Sequence, residues 1–433
     1  MKLEDLILVS VDDHAIEPPN AFKHHMPERF KGREPHVEKR GERDVWVFEE
    51  EATGYMGLNS VVGRPKEEYG MEPLGYDQMR RGTWDVKARV DDMNANGVLG
   101  SLCFPTFPGF AGQRFQNHPQ RDIALAAIQA YNDWHVEEWC GAYPARFIPM
   151  TLPVIWDPVA CAAEIRRNAA RGVHSLTFSE NPSAMGYPSF HDFDYWKPMW
   201  DALVDTDTVL NVHIGSSGRL AITAPDAPMD VMITLQPMNI VQAAADLLWS
   251  APIKKYPDLK IALSEGGTGW IPYFLERADR TYEMHSTWTG QDFGDKLPSE
   301  VFRDHFLTCF ISDPVGVALR NQIGIDNICW EADYPHSDSM WPEAPEQLDE
   351  VLKANAVPDD EINKMTFENA MRWYHWDPFS HIARDQATVG ALRKAAEGHD
   401  VSIQALSHHE KGSRGEALHA AARGNSGDQP VSA

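Results

Sequence analysis

The chain has 433 residues, 43% of them hydrophobic, which is enough for one large domain with insertions or for two domains. Its net charge of -25 argues against a nucleic acid or an anionic membrane as partner, because no basic excess exists to neutralise phosphates. The five cysteines form no C-x-x-C pair, which indicates neither a disulfide framework nor a zinc knuckle. The N-terminus lacks an apolar signal region and no apolar run reaches 18 residues, so we expect a cytoplasmic protein without a membrane span.

Short apolar segments recur along the chain and are typical of buried strands, with helical patterns between most of them. The eight predicted strands begin near residues 6, 98, 147, 173, 208, 259, 306 and 327. Strand–helix alternation repeated in this way predicts an α/β protein with a distorted TIM (β/α)8 barrel. An open doubly wound sheet is the alternative, but no Gly-x-Gly-x-x-Gly follows the first strand.

Helical periodicity accounts for most of the chain between these strands. The predicted helices cover residues 84–97, 119–140, 158–170, 195–203, 234–249, 271–285, 343–355 and 359–374, with a short helix after Pro314.

The alternation of strands and helices predicts one domain at residues 1–380, and two regions of the chain depart from this alternation. Residues 20–82 are irregular and predict an insertion after the first strand that covers one face of the domain, with a hairpin arm at 44–49. Residues 381–433 predict a C-terminal extension that is partly disordered, with one helix at 387–397 and a disordered tail from Ser407.

Ligand-type side chains stand where four of the predicted strands end. Asp12 and His14 end the first strand, His213 ends the fifth, Glu265 follows the sixth, and Asp333 follows the eighth. Because the strands of a parallel barrel end at one mouth, we expect these side chains to converge. Two of these carboxylates together with the two imidazoles suit Zn, Mn or Fe. The alternative interpretation of residues 330–339, which include Asp333, is a solvated loop rich in Asp and Ser.

For several residues near these strand ends, the sequence is compatible with more than one role. Glu265 could bind a metal, act as a base or orient a ligating histidine. His336 could move protons or only form a hydrogen bond with Asp338. Arg219 could bind a substrate carboxylate or lie on the surface. Asp13 is expected to support the ligands or to lie on the surface rather than to bind a metal itself. The aromatic residues of 40–80 could line a pocket for a planar substrate or form the core of the insertion.

The motifs at the strand ends resemble those of the amidohydrolase-related (amidohydrolase 2) family, which includes aminocarboxymuconate-semialdehyde decarboxylase, resorcylate-type decarboxylases and some carbon–carbon hydrolases. The resemblance is carried by Ser10-Val11-Asp12-Asp13-His14, Glu17-Pro18-Pro19, Ala130-Tyr131-Asn132-Asp133-Trp134, Asn211-Val212-His213-Ile214-Gly215, Ser264-Glu265-Gly266-Gly267 and Asp333-Tyr334-Pro335-His336. It implies a distorted TIM barrel in which Asp12, His14, His213 and Asp333 bind one divalent metal, with Zn expected and Mn or Fe as alternatives.

The resemblance also implies the chemistry of the site. Asp333 would bind the metal and handle protons, whereas Glu265 replaces the histidine that the best-known decarboxylases carry after strand six. Glu265 or His336 is therefore expected to supply the missing acid–base function, which makes Asp333, His336 and Glu265 the predicted catalytic residues. Arg219 remains the predicted substrate-binding residue.

Three functions follow from that resemblance. The first is decarboxylation of a small carboxylated aromatic or ring-cleavage compound by a homodimer or higher homo-oligomer. The second is hydrolysis of a C–C, amide or ester bond by a metal-activated water. The third is a metal-binding partner subunit without activity, which predicts a closed metal sphere and no pocket.

Overall fold

The computed structural model describes residues 1–54 and 56–406, and eight of its strands run parallel to their neighbours in two sheets. The strands are β1 (Val9–Ala15), β2 (His36–Arg40), β3 (Arg43–Phe48), β4 (Glu51–Thr53), β5 (Gly100–Pro105), β6 (Phe147–Ile148), β7 (Ser175–Ser179), β8 (Val209–His213), β9 (Ile261–Ser264), β10 (Phe306–Phe310) and β11 (Ile328–Trp330). The parallel sheets have the orders β1-β5-β6 and β11-β10-β9-β8-β7. All eight strands predicted from the apolar segments are present, which confirms the α/β class.

Backbone hydrogen bonds join the two parallel sheets at both edges. The Thr151 N–H, which follows β6, donates to the Ser175 carbonyl of β7 at 2.8 Å. The Asp333 N–H, which follows β11, donates to the Asp12 carbonyl of β1 at 2.9 Å. The predicted third strand at 147–152 is thus reduced to Phe147–Ile148 and one isolated bridge at Thr151.

Helices occupy most of the connections between the parallel strands. They are α1 (Val86–Asn96), α2 (Arg121–Trp134), α3 (Pro158–Ala169), α4 (Phe193–Asp205), α5 (Met229–Leu235), α6 (Met238–Leu248), α7 (Ala251–Lys255), α8 (Ile271–Thr289), α9 (Pro298–His305), α10 (Pro314–Ala318), α11 (Arg320–Ile323), α12 (Ala344–Ala354), α13 (Asp359–Asn363), α14 (Asn369–Tyr374) and α15 (Val389–Ala395). A π-helical turn, His135–Cys140, extends α2 to the predicted end at residue 140.

The helix predicted at 234–249 is two helices in the structure. Pro237 lies between α5 and α6 and has no N–H to continue the helical ladder. By length and composition, the stretch Met229–Leu248 is the one candidate for a membrane span among the described residues. Its α6 part packs against β8 and β9, where burial in the fold explains the apolar face.

The insertion after β1 contains a small antiparallel sheet in the order β2-β3-β4. The predicted hairpin arm at 44–49 corresponds to β3. Trp46 on this strand stacks on Phe107 with ring centroids 4.4 Å apart and meets Phe22 edge-on at 5.7 Å. These contacts favour the interpretation that the aromatic residues of this region form a core rather than a pocket wall.

The described part of the C-terminal extension binds back onto the rest of the chain. The Val389 N–H donates to the Leu6 carbonyl, and the Gln404 N–H donates to the Gly63 carbonyl in the insertion, both at 2.8 Å. The predicted helix at 387–397 is confirmed as α15. The tail predicted to be disordered, residues 407–433, lies outside the described residues.

Candidate metal centre

An irregularity in β1 directs two ligand-type side chains into the site. Val9 and Ser10 pair with Gly100 and Ser101 of β5, but the next pair is Asp13 with Cys103, so two residues of β1 oppose one of β5. This β-bulge changes the side-chain alternation, and bulges of this kind re-aim side chains beside active sites. As a result Val9 and Val11 stay in the apolar core while Asp12 and His14 enter the polar cluster.

The structure brings the predicted ligands together at the strand ends. His14 Nε2 lies 3.3 Å from Asp333 Oδ1 and 3.6 Å from Asp12 Oδ1. His213 Nε2 lies 3.4 Å from Asp12 Oδ1 and 3.3 Å from Glu265 Oε2. Asp12, His14, His213 and Asp333 are at most 1% exposed. Residues from β1, β8, and the segments after β9 and β11 therefore form one buried cluster.

Several polar atoms of this cluster are buried without a hydrogen bond to any described residue. They include both carboxylate oxygens of Asp12, Asp333 Oδ2 and the Nε2 atoms of His14 and His213. Buried polar groups are normally satisfied, because leaving one unpaired costs about 1–3 kcal/mol. Two imidazole nitrogens and two carboxylates form a donor set that suits Zn, Mn or Fe. The residues present thus fit a divalent metal.

The tautomer of His213 supports this role. Its Nδ1 lies 2.7 Å from the Ile214 carbonyl oxygen, which can only accept a hydrogen bond. Nδ1 therefore carries the proton, and Nε2 presents its lone pair to the cluster. Phe110 stacks on the same ring with centroids 4.3 Å apart, which fixes the ring plane.

Burial shifts the protonation equilibria of the cluster toward neutral forms. Burial and the neighbouring Asp13 raise the pKa of Asp12, and burial and Asp12 raise the pKa of Asp333. Burial and His336 lower the pKa of His14, which keeps it neutral and able to bind metal. A divalent cation would favour the ionised carboxylates, so metal binding is expected to release protons.

His336 contacts the cluster from the segment after β11. Its Nδ1 lies 2.9 Å from Asp333 Oδ1, and its ring packs on that of His14 with centroids 3.8 Å apart. The predicted role as a mere partner of Asp338 is thus less favoured than a role beside Asp333. This contact places an imidazole where it can exchange a proton with the Asp333 carboxylate.

Glu265 and Asp333 both adopt left-handed backbone conformations, with φ of 57° and 49°. Such conformations are uncommon for residues other than glycine and concentrate at functional sites. The Glu265 carboxylate faces His213 Nε2, the atom available to a metal, whereas the Ile214 carbonyl orients the other nitrogen. The geometry favours Glu265 as a ligand or a base over a residue that orients His213.

Two other predicted residues lie outside the cluster. Arg219 lines a separate polar cavity of about 210 Å³ together with Glu180 and Asp246, and it does not line the cavity above the cluster. Asp13 accepts hydrogen bonds from the Tyr334 N–H at 2.9 Å and from the Ser101 hydroxyl. Asp13 therefore ties β1 to the segment after β11, which agrees with a supporting role.

A cavity of about 440 Å³ opens above the cluster. Apolar side chains supply much of its wall, including Phe110, Phe310, Leu58, Ile214, Met232 and Ile233. Its carboxylates are Glu265, Asp313, Glu331, Asp333 and Asp338. An apolar cavity with a few convergent polar groups is typical of a small-molecule site.

Sequence reasoning missed two contributors to this site. Glu331 was assigned no role, yet it is 1% exposed and lines the cavity. Its apolar neighbours in the strand were the available signal, because a carboxylate there is costly to bury. No sequence signal links Phe110 to His213, since the two are distant in the chain.

A family sequence profile described as Amidohydrolase matches residues 22–376. The chain belongs to the amidohydrolase family. Curated relatives of this amidohydrolase include the decarboxylase macB of Penicillium terrestre, 24% identical over 204 residues, and the decarboxylase yanB of Aspergillus niger, 26% identical over 163 residues. These matches span 45% and 36% of this chain and only 57% and 41% of the relatives.

Solved structures share the fold of this amidohydrolase. The amidohydrolase map2389c of Mycobacterium avium subsp. paratuberculosis has a TM-score of 0.65 at 19% identity, covering 85% of this chain and 98% of that one. The 5-carboxyvanillate decarboxylase LigW of Sphingomonas paucimobilis has a TM-score of 0.60 at 21% identity, covering 86% and 100%. A 5-carboxyvanillate decarboxylase of Novosphingobium aromaticivorans, complexed with manganese, has a TM-score of 0.52 at 23% identity, covering 68% and 82%.

Proposed function

We propose that this amidohydrolase is a divalent-metal-dependent decarboxylase of a small carboxylated aromatic or ring-cleavage compound. The observation that carries the proposal is the set of unsatisfied nitrogen and carboxylate atoms of Asp12, His14, His213 and Asp333. His213 and Asp333 of this set line a cavity with many apolar side chains. The decarboxylases among the relatives and the manganese in one structural neighbour support the same reaction and cofactor class. Zn is our first choice of metal, with Mn or Fe as alternatives.

In this proposal, different residues bind the metal and the substrate ring. Asp12, His14, His213 and Asp333 would hold the metal, with Glu265 as a further ligand or base. The metal, when bound, supplies positive charge that binds the substrate carboxylate and polarises a neighbouring oxygen. The apolar side chains of Phe110 and Phe310 line the cavity where a planar ring would pack.

Asp333 is the proposed proton donor. A proton that this side chain receives from His336 would form the new C–H bond at the carbon that bears the carboxylate. The C–C bond to the carboxylate then breaks, its electron pair returns to the substrate and CO2 leaves. His336, 2.9 Å from Asp333, is placed to return a proton from solvent to the carboxylate.

The test is decarboxylation in deuterated water. Metal-loaded protein is incubated with a panel of hydroxybenzoates and ring-cleavage carboxylates while CO2 release and deuterium in the product are measured. We expect deuterium at the carbon that lost the carboxylate, and we expect Asp333→Asn to slow the reaction by about 10²–10⁴-fold. Asp246→Asn, in the neighbouring cavity, is the control for removal of one carboxylate. Turnover by Asp333→Asn at the wild-type rate would refute the proposal.

One observation favours metal-dependent hydrolysis as a second candidate. Five carboxylates and no Lys or Arg are among the described residues that line the cavity. A carboxylated substrate would therefore have only the metal to offset its charge, whereas a neutral ester, amide or diketone would meet no such repulsion. A parallel screen with neutral esters and amides separates the two reactions, because hydrolysis consumes water and releases no CO2.

The cavity argues against a metal-binding partner subunit without activity. A partner subunit without activity was expected to have a closed metal sphere and no pocket, whereas here an open cavity of about 440 Å³ reaches Glu265 and Asp333. We further propose that the two parallel sheets close into one barrel through the backbone hydrogen bonds of Thr151 and Asp333.

We also propose that the protein is a cytoplasmic homo-oligomer that acts on a small molecule and has no nucleic acid or membrane partner. Light scattering tests its oligomeric state.

A further inference from the structure

A second group of potential ligands lies beside the first. The carboxylates of Asp12 and Glu331 and the thiol of Cys309 have ligand atoms within 4.8 Å of one another. All three residues are at most 3% exposed. Cys309 is the penultimate residue of β10, and Glu331 directly follows β11, so neighbouring parallel strands place the two side chains together. Asp12 belongs to both groups.

Unsatisfied atoms point to a ligand between these three side chains. Glu331 Oε2 and both carboxylate oxygens of Asp12 are buried and make no hydrogen bond to a described residue. The Cys309 thiol donates a long contact of 3.4 Å to the Leu263 carbonyl and also interacts with the Glu331 carboxylate. Two buried carboxylates in contact without a cation repel one another, so this arrangement is costly unless a positive charge sits between them.

One divalent metal cannot offset the charge of the whole cluster when all of its carboxylates are ionised. Four carboxylates meet here, those of Asp12, Glu265, Glu331 and Asp333. Within the described residues none of the four forms an ion pair with Lys or Arg, and their charged partners are histidines. One divalent cation neutralises two carboxylates. A second divalent cation would neutralise the remaining two.

We propose that Asp12, Cys309 and Glu331 form a second divalent-metal position, with Asp12 bridging it to the first. Around a tetrahedral Zn ion, oxygen and sulfur ligands lie about 3.4–3.7 Å from one another, a separation that small side-chain rotations reach from the observed spacing. The thiolate favours Zn or Co over Mg or Ca. Because Glu331 lines the cavity, the fourth position faces water or a substrate oxygen.

The experiment is a Co(II) titration of metal-free protein, followed by elemental analysis and near-ultraviolet absorption. A thiolate bound to Co(II) gives a sulfur-to-metal charge-transfer band that carboxylates and imidazoles do not give. We expect a second metal equivalent and this band in wild type. Glu331→Gln should lose the second equivalent, and Cys309→Ser should lose the band.

Cys329→Ser is the matched control, because Cys329 pairs with Cys309 in register and is equally buried but lies outside the group. This variant should keep the band. His213→Ala should lose the first equivalent and keep the band, which separates this proposal from the proposed function. A single equivalent in saturated wild type, or a band that persists in Cys309→Ser, would overturn the second position. Absence of any metal would overturn both proposals.

Discussion

Glu17 anchors the loop that carries Phe110 to the metal centre. Its two carboxylate oxygens accept hydrogen bonds from the Thr106 and Phe107 N–H groups at 2.9 and 2.8 Å. The side chain is fully buried, and burial raises its pKa from 4.5 to about 7 even though the two N–H bonds oppose the shift. Glu17 lies outside the metal cluster, so its titration is independent of metal binding.

The effect of Glu17 on the free energy of unfolding follows from the difference between its pKa values in the folded and unfolded chains. Below pH 4.5 Glu17 is protonated in both states, and above pH 7 it is ionised in both, so the folded chain binds the extra proton between these values. Stability therefore falls as pH rises across that window, by about 3 kcal/mol at about 1.4 kcal/mol per unit of pKa. Glu17→Gln cannot titrate and should lose this part of the pH dependence.

Urea unfolding at a series of pH values measures the effect. The free energy of unfolding of wild type minus that of Glu17→Gln should fall by about 3 kcal/mol between pH 4 and pH 8. The lost hydrogen bond in the variant costs about 1 kcal/mol at every pH and does not alter this slope. Glu50→Gln, at an exposed carboxylate, controls for charge removal. Parallel pH profiles for wild type and Glu17→Gln would refute the reasoning.

Three further predictions concern the metal centre. Asp333→Asn should lower kcat by about 10²–10⁴-fold with unchanged circular dichroism, because a positioned acid contributes that factor; a wild-type kcat would exclude Asp333 as proton donor. His213→Ala should reduce bound metal in elemental analysis, since the Phe110-stacked imidazole is a ligand in the proposed set, and full retention would remove it from that set. A chelator should lower the thermal stability, because metal at about 100 times its Kd contributes about 2.7 kcal/mol; an unchanged Tm would mean that the carboxylates are stable without metal.

The sequence by itself determined the strands and the identity of the strand-end residues. Apolar runs bounded by glycine, proline or acidic residues identify buried strands locally, and parallel strands end on one side of a fold. Asp12, His14, His213, Glu265 and Asp333 were therefore expected to converge, and the structure brings them within contact.

Tertiary structure decided the features that depend on register and on contacts between distant segments. The bulge in β1 is a mismatch in pairing with β5, and no pattern within residues 9–15 encodes it. The placement of Arg219 in a separate cavity depends on how the segment after β8 folds, which strand periodicity does not describe.

The roles of Phe110, Glu331 and Cys309 were decided in the same way. Phe110 stacks on His213 from a loop whose backbone Glu17 binds, and Cys309 meets Glu331 because β10 and β11 pair in one register. A one-residue slip of either strand would turn these side chains to the other face of the sheet. The sequence thus shows which side chains could bind a metal, whereas strand register and burial determine which of these side chains meet.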